Sequence, residues 1–190
     1  MSATAMAPES AASTDGMTRS MCAMALFNDA KSEHDALNAN ESTDAHARSA
    51  FHRKWAGQAY DFAVNHGGVY IKAAQFVASL QGGAGETGVP KEWVDALRPL
   101  TDRVPPRPFA AVAEVAAEEL GAPLSELLQT IDETPIAAAS LAQVHRATLL
   151  PNKESKGAAS TAVAIKLQYP TLREQVATDF EVLQMMQSMM

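Results

Sequence analysis

Lys166 stands in a short segment with a regular pattern, and this pattern gives it the clearest potential for chemistry. Thr161 to Leu167 alternates with period two, which predicts a strand that turns Lys166 away from its buried side. That buried side consists of Val163, Ile165 and Leu167. A lysine held rigidly in this way can neutralise the phosphate groups of a nucleotide. Taken alone, the pattern favours the plainer interpretation, a lysine on a solvated strand face.

A run of small residues lies one predicted hairpin upstream of this lysine. Ala137, Ala138, Ala139 and Ser140 stand inside the segment PIAAASLAQVHRA. Small side chains let the backbone approach a ligand closely, although alanine disfavours the positive φ angles that glycine adopts readily. The run therefore predicts a loop over a phosphate group, and an alanine-rich strand entry is the alternative.

A helical pattern from Gly57 to Leu80 carries a second pair of polar residues. Lys72 and Gln75 fall one turn apart on one face. Gly67–Gly68 is expected to divide the helix in two. The predicted apolar stripe consists of Val69, Ala73, Phe76 and Leu80. An exposed lysine on an amphipathic helix is the alternative interpretation of Lys72.

Four segments together resemble the UbiB/ADCK family of atypical kinases. PIAAASLAQVHRA and VAIKLQYP are similar to the alanine-rich loop and the lysine strand of that family. GGVYIKAAQFVASL looks like its Lys-x-Gly-Gln signature helix, and VPKEWVDALRPLTDRVPPRPF like the segment that follows it. All four occur in the order of the family, so the joint match is specific. Ala74 stands where the family has the signature glycine.

The resemblance implies a role for each matching residue. Lys166 would bind the phosphates of ATP or ADP, and the loop from Ala137 to Ser140 would replace a glycine-rich loop. Lys72 and Gln75 would lie on a helix that folds over the active site and restricts access by protein substrates. The complete protein would need magnesium, but no catalytic aspartate or metal-binding triplet follows Lys166. We therefore expect neither catalytic nor metal-binding residues in this chain.

The order of the predicted elements is several helices, a β-hairpin and a final helix, which makes an α+β fold. The resemblance implies a protein-kinase-like N-lobe with a small antiparallel sheet, a family-specific N-terminal helical extension and no C-lobe. We predict a disordered acidic and polar tail over residues 1–50. A helical extension over 51–134 would include a helix from Leu124 to Ile131. A partial N-lobe would occupy 135–190.

Composition and charge exclude several classes of function. The 190 residues carry a net charge of −7, which gives no electrostatic reason to expect a nucleic-acid partner. Cys22 is the only cysteine, so an intramolecular disulfide and a zinc site built from several thiolates are both excluded. No apolar run reaches the roughly 20 residues that cross a bilayer.

Two functions stay open. The resemblance implies the N-terminal part of an atypical kinase or ATPase, with a family role in coenzyme Q or other prenyl-lipid metabolism in mitochondria or plastids. Its partners would be a nucleotide and a prenyl lipid or a membrane surface, and this chain alone would not be catalytic. The alternative is a non-catalytic lipid- or protein-binding module derived from such a kinase. The sequence reveals neither the phosphate acceptor nor the oligomeric state.

Overall fold

The computed structural model describes residues 16–40, 44–80, 88–151 and 160–189. These residues form helices and a small antiparallel sheet, so the predicted α+β architecture is confirmed. The helices are α1 (Gly16–Ala39), α2 (Ala45–His66), α3 (Gly68–Ser79), α4 (Lys91–Leu97), α5 (Pro99–Asp102), α6 (Phe109–Leu120) and α7 (Leu172–Ser188), with a 3₁₀ turn at Leu124–Glu126. The strands are β1 (Leu128–Ile131), β2 (Ala137–Ala138), β3 (Ala142–Leu149) and β4 (Ala162–Gln168).

The sheet is built around β3. Strand β4 pairs antiparallel with β3 along one edge, from Ala142 opposite Gln168 to Thr148 opposite Ala162. Strands β1 and β2 are also antiparallel to β3. Because β4 occupies one edge over this length, β1 and β2 share the other edge, end to end. The predicted hairpin of two strands is therefore present and is extended by two further strands.

One face of the sheet packs on α6. Val112 of α6 is fully buried against Leu167 and Tyr169, and Ile165 lies beside them. The alternation predicted for β4 is thus confirmed, because Ile165 and Leu167 point into this core while Lys166 is exposed. Helix α6 ends at Gly121, whose left-handed backbone is typical of a helix C-terminus.

The other helices, α1 to α5 and α7, form what we call the helical bundle. Its core joins residues from distant parts of the chain, including Ala23, Tyr70, Leu100 and Val182. Gly67 separates α2 from α3, as predicted. Its backbone, with φ 69° and ψ −158°, lies in a region that residues with a Cβ atom avoid.

The prediction of a disordered tail over residues 1–50 is wrong for most of that range. Gly16–Ala39 is a 24-residue helix, and α2 begins at Ala45. Composition misleads here because α1 is held largely by a charged residue, Arg19, which is buried against α7. Residues 1–15 and 41–43 of the predicted tail lie outside the described residues.

The predicted helix from Leu124 to Ile131 is also wrong. Only a 3₁₀ turn forms at its start, and Leu128–Ile131 is strand β1. Pairing with β3 overrides the local helical pattern, because the β-branched residues Thr130 and Ile131 suit a strand. Strand β1 therefore belongs to the sheet although it precedes the boundary predicted at residue 135.

The apolar stripe predicted for α3 is only partly right, since Val69 is buried and Ala73 half-buried but its two largest residues point outwards. Phe76 is 63% exposed and Leu80 is 41% exposed. The side that packs into the helical bundle consists of Tyr70, Ile71, Ala74 and Ala78. Alanines on this side let neighbouring helices come close, and a pattern search that weighs large residues most heavily selects the other stripe.

Candidate functional site

Lys166 lies in a row of residues that crosses the sheet. Val144 of β3 is opposite Lys166, and Ala137 of β2 is opposite Val144. Residues directly opposite each other in a sheet share a face. Ala137 and Lys166 therefore lie on the same face, two strand spacings or roughly 10 Å apart. The sheet thus brings the start of the predicted loop and the predicted lysine to one surface, which we call the Lys166 face.

The alanine-rich segment turns tightly between β2 and β3. The Ala139 amide donates a hydrogen bond to the Ala142 carbonyl over 2.9 Å, which closes the turn. Ala137 and Ala139 are exposed and Ala138 is half-buried, whereas Ser140 is buried. Ala137 and Ala139 are thus the most accessible residues of this loop.

Arg146 adds a second cation to the Lys166 face, and the sequence analysis missed it. It lies opposite Ala164, and its place in β3 is two residues beyond Val144. Arg146 and Lys166 are diagonal neighbours, with Cα atoms about 7–8 Å apart by sheet geometry. Both side chains are exposed, and neither forms an ion pair within the part of the chain that the structure describes. The sequence gives no clear signal for Arg146, because the segment QVHRA does not alternate apolar and polar residues and the polar residues Gln143 and His145 are the buried ones.

The rest of the Lys166 face is also open. Thr130 of β1 and Thr148 of β3 lie opposite each other on this face and their hydroxyl groups are hydrogen-bonded. Ala162 and Ala164 of β4 are exposed between them and Lys166. The face therefore combines two cations, two hydroxyl groups and small side chains. Asp132 lines the same hollow as Arg146, but no ion pair joins a described carboxylate to either cation.

A buried polar chain fixes the sheet from its opposite face. Gln143 accepts a hydrogen bond from the Arg107 amide over 2.9 Å and donates one to the Arg107 carbonyl over 3.1 Å. The side-chain nitrogen of Gln143 also lies 3.0 Å from His145 Nε2, and His145 Nε2 is the acceptor of this hydrogen bond. His145 Nδ1 then donates to the Asp132 carbonyl. This chain joins β3 to the connector before α6 and fixes the orientation of the His145 ring.

Lys72 and Gln75 lie on the helical bundle. Lys72 is exposed, whereas the Gln75 side-chain amide donates a 2.8 Å hydrogen bond to the Leu100 carbonyl. The main neighbours of α3 are α2, α4, α5 and α7, while the sheet packs on α6. Among the described residues no hydrogen bond or ion pair joins either residue to Lys166.

Helix α7 follows the lysine strand and is fixed by a buried ion pair. Arg19 of α1 contacts Asp179 of α7 at 2.6 Å, and the two side chains are only 2% and 1% exposed. Arg19 also donates to the His66 carbonyl and lies over the Tyr70 ring. Burial and then the Asp179 carboxylate raise the pKa of Tyr70, while burial and then Arg19 lower the pKa of His66.

Two kinds of site are not found in the described part of the chain. No cluster of three or more histidine, cysteine or acidic side chains there is arranged to hold a metal ion. Of the helices described, none has both the length and the apolar character that a membrane span needs.

Residues 99–190 match the family model of the ABC1 atypical kinase-like domain. The chain therefore belongs, through this region, to the ABC1 atypical kinase-like family, and the recognition made from the sequence is confirmed. Its mixture of helices and a small antiparallel sheet is consistent with a kinase-like N-lobe.

Three curated relatives illustrate the similarity. The chain is 38% identical over 115 residues to the ABC1 family protein MCP2 of Saccharomyces cerevisiae, covering 60% of this chain and 19% of that protein. It is 33% identical over 139 residues to the AarF domain-containing protein kinase 1 of Xenopus laevis, covering 73% and 24%. It is 36% identical over 113 residues to an uncharacterized aarF domain-containing protein kinase of Arabidopsis thaliana, named as chloroplastic, covering 60% and 19%.

The chain thus spans between 19% and 24% of the length of these relatives. No solved structure matches it significantly.

Proposed function

We propose that the Lys166 face binds the phosphate groups of ATP or ADP, and that this chain is a nucleotide-binding part of an atypical kinase-like protein. The row of Ala137, Val144 and Lys166 is the observation that carries the proposal. Lys166 supplies a point charge for the phosphates, and the small side chain of Ala137 leaves room for a ligand beside it. Arg146 supplies a second, forked donor that suits phosphate oxygens.

The surroundings of the two cations support this proposal. An exposed lysine paired with a carboxylate would have to give up that partner to bind phosphate. Neither Lys166 nor Arg146 has such a partner in the described residues, so both can receive an anion directly. The core on α6 and the hydrogen bonds of Gln143 hold the strands that carry them, so binding has to order the two side chains but not the backbone.

Catalysis would need more than these residues. A general base and the ligands of magnesium do not follow Lys166 in this sequence. We therefore propose that the 190-residue chain binds a nucleotide without turning it over. Magnesium-dependent ATP consumption by the pure chain would contradict this.

The wider role that we propose is the one implied by the family resemblance, in coenzyme Q or other prenyl-lipid metabolism. A location in a mitochondrion or plastid is part of the same proposal, and the chloroplastic name of one relative is compatible with it. We propose the signature-helix role of Lys72 and Gln75 on the family resemblance alone. Both residues lie on the helical bundle, and no described hydrogen bond or ion pair joins them to Lys166.

Nucleotide titration of the purified chain tests the binding site. Lys166→Ala should weaken ATP binding roughly ten- to a hundredfold, the value of a lost hydrogen bond between charged groups. Lys91→Ala is the matched control, because it removes an exposed lysine from α4 in the helical bundle. Equal affinity in the two variants would overturn the proposed site. Failure of the unmodified chain to bind any nucleotide would favour the alternative, a non-catalytic lipid- or protein-binding module.

A further inference from the structure

An apolar cavity of about 280 Å³ lies among the helices of the helical bundle and is partly open to the surface. Helices α1, α2, α3, α4 and α7 all contribute to its wall. Every lining side chain is alanine, a larger aliphatic residue, an aromatic residue or methionine, and none carries a charge. Water gains little in such a space, because the lining side chains offer it almost no polar group apart from the Tyr70 hydroxyl. An occupant of this cavity must therefore be apolar.

The cavity exists because alanines occupy positions where a helical core ordinarily holds larger side chains. Ala30 of α1, Ala59 of α2 and Ala73 and Ala74 of α3 all face it. Ala74 is the residue that replaces the signature glycine. Empty apolar space of this size leaves the lining atoms without contact partners and destabilises a protein. A ligand that fills the space would supply those contacts and would join α1 more firmly to its neighbours.

The shape of the wall favours a chain over a compact ring. The lining residues on α1 run from Ala23 to Ala30, and those on α3 from Tyr70 to Val77. Seven residues of helix correspond to roughly 10 Å, so a volume of about 280 Å³ spread along this length has a narrow cross-section. An apolar cavity of ~150 Å³ takes up benzene, so this one has room for roughly ten carbon atoms.

Both tryptophans of the chain line this cavity. Trp55 directs its indole N–H to Glu33, and Trp93 directs its indole N–H to His52. Neither acceptor is a lining residue, so the polar atoms of both indoles are satisfied outside the cavity. The two rings present carbon surface to the interior and provide a built-in fluorescent reporter of occupancy.

We propose that this cavity is a binding site for an uncharged hydrocarbon chain of roughly ten carbons, a length scaled from the cavity volume. The site lies in the helical bundle and does not depend on nucleotide binding at the Lys166 face. The chain has two potential sources, a free apolar molecule or the acyl tail of a membrane lipid, and both have the same chemistry inside the cavity.

Quenching of tryptophan fluorescence by 10-bromodecan-1-ol tests the proposal on the 190-residue chain. We expect saturable quenching that unbrominated decan-1-ol reverses. The double variant Ala30→Leu/Ala59→Leu fills the cavity and should weaken the apparent affinity by roughly tenfold or more. Ala36→Leu/Ala50→Leu is the matched control, because it adds the same two side chains at exposed positions of the same helices. This control should bind like the unmodified chain.

Equal quenching in the two double variants, or quenching that rises linearly without saturation, would overturn the site. If the filled variant does not fold, competition by decan-1-ol on the unmodified chain decides alone, and failure to recover fluorescence rejects the proposal. Vesicles of phosphatidylcholine with brominated acyl tails separate the two sources. Quenching by these vesicles that the filled variant loses supports the site with a lipid tail as its occupant. Saturable quenching by 10-bromodecan-1-ol without quenching by these vesicles supports the site with a free molecule as its occupant.

Discussion

The helical bundle and the sheet bury their residues in different ways. The bundle draws its core from α1, α2, α3, α4, α5 and α7, with a buried ion pair that joins two residues 160 positions apart in sequence. The sheet has a smaller core, on the side of α6, and its other face is open. The bundle therefore depends on contacts between distant segments, whereas the sheet depends on local pairing. The open face is the part that can receive a polar ligand.

Breaking the buried ion pair between Arg19 and Asp179 should give the largest loss of stability. Asp179→Ala leaves the Arg19 guanidinium buried without its carboxylate, which should lower the free energy of unfolding by about 3–5 kcal/mol. Arg173→Ala removes an exposed ion pair from the same helix and should cost about 1 kcal/mol or less. Urea unfolding of both variants measures the difference. Similar losses in the two variants would show that α1 is not held by this pair.

Removing the buried hydrogen bonds that link the sheet to the connector before α6 should give the next largest loss of stability. Gln143→Ala removes the hydrogen bonds to both Arg107 backbone groups and to His145, all within a buried setting, so we expect a loss of about 2–4 kcal/mol. Gln168→Ala changes an exposed glutamine on β4 and should stay within about 0.5 kcal/mol. Chemical denaturation followed by circular dichroism gives both values. A neutral Gln143→Ala would mean that the connector is held by other contacts.

The junction of α2 and α3 gives a third test, at the place where Arg107 of the connector lies beside the bundle. Gly67→Ala introduces a Cβ atom 2.7 Å from Arg107 Nη2 at a backbone conformation that favours glycine, with an expected cost of about 1–3 kcal/mol. Gly57→Ala, inside α2 and with open space around it, should instead stabilise the chain by up to about 1 kcal/mol. Thermal unfolding of the two variants should therefore shift in opposite directions. Shifts of the same sign would contradict the described junction.

The smallest expected effect is a loss of stability at acidic pH. Burial lowers the pKa of His66, Arg19 and Arg107 act in the same direction, and Asp179 opposes them. The unfolded chain, with a histidine pKa near 6.5, then binds the proton more readily than the folded chain. Stability should thus be fully present above this pH and decline as the pH falls below it.

Urea midpoints at about pH 7.5 and about pH 5.5, on either side of the histidine pKa, measure this decline. His66→Gln should reduce the difference between the two midpoints. His46→Gln, at an exposed position of the same helix, should leave the difference unchanged. An unchanged difference in His66→Gln would assign the acid sensitivity to another group.

The sheet was more predictable from the sequence than the bundle, for a physical reason. Period-two alternation around Ile165 identifies β4 and the direction of Lys166, because one face of a strand is buried on its neighbours. The helix α1 was not predictable from composition, because the contact between Arg19 and Asp179 joins segments far apart in the chain. The helical tendency near Leu124 also misled, since only pairing with β3 decides that Leu128–Ile131 is a strand.

The candidate site was predictable in part. The pattern identifies Lys166 and the alanine-rich loop, and the strand register brings Ala137 and Lys166 to one face. Arg146 was not predictable, because the polar residues that precede it in β3, Gln143 and His145, are buried, and the strand shows no alternation of apolar and polar types. The roles predicted for Lys72 and Gln75 stay predictions, because α3 lies in the bundle.

The affinity of the chain for AMP, ADP and ATP tests the central claim most directly. If the Lys166 face binds phosphate groups, affinity should rise with each added phosphate in the unmodified chain, because each adds negative charge beside Lys166 and Arg146. In Lys166→Ala that rise should largely disappear, while Lys91→Ala should retain it. Equal affinities for the three nucleotides in the unmodified chain, or an undiminished rise in Lys166→Ala, would contradict a phosphate site on this face.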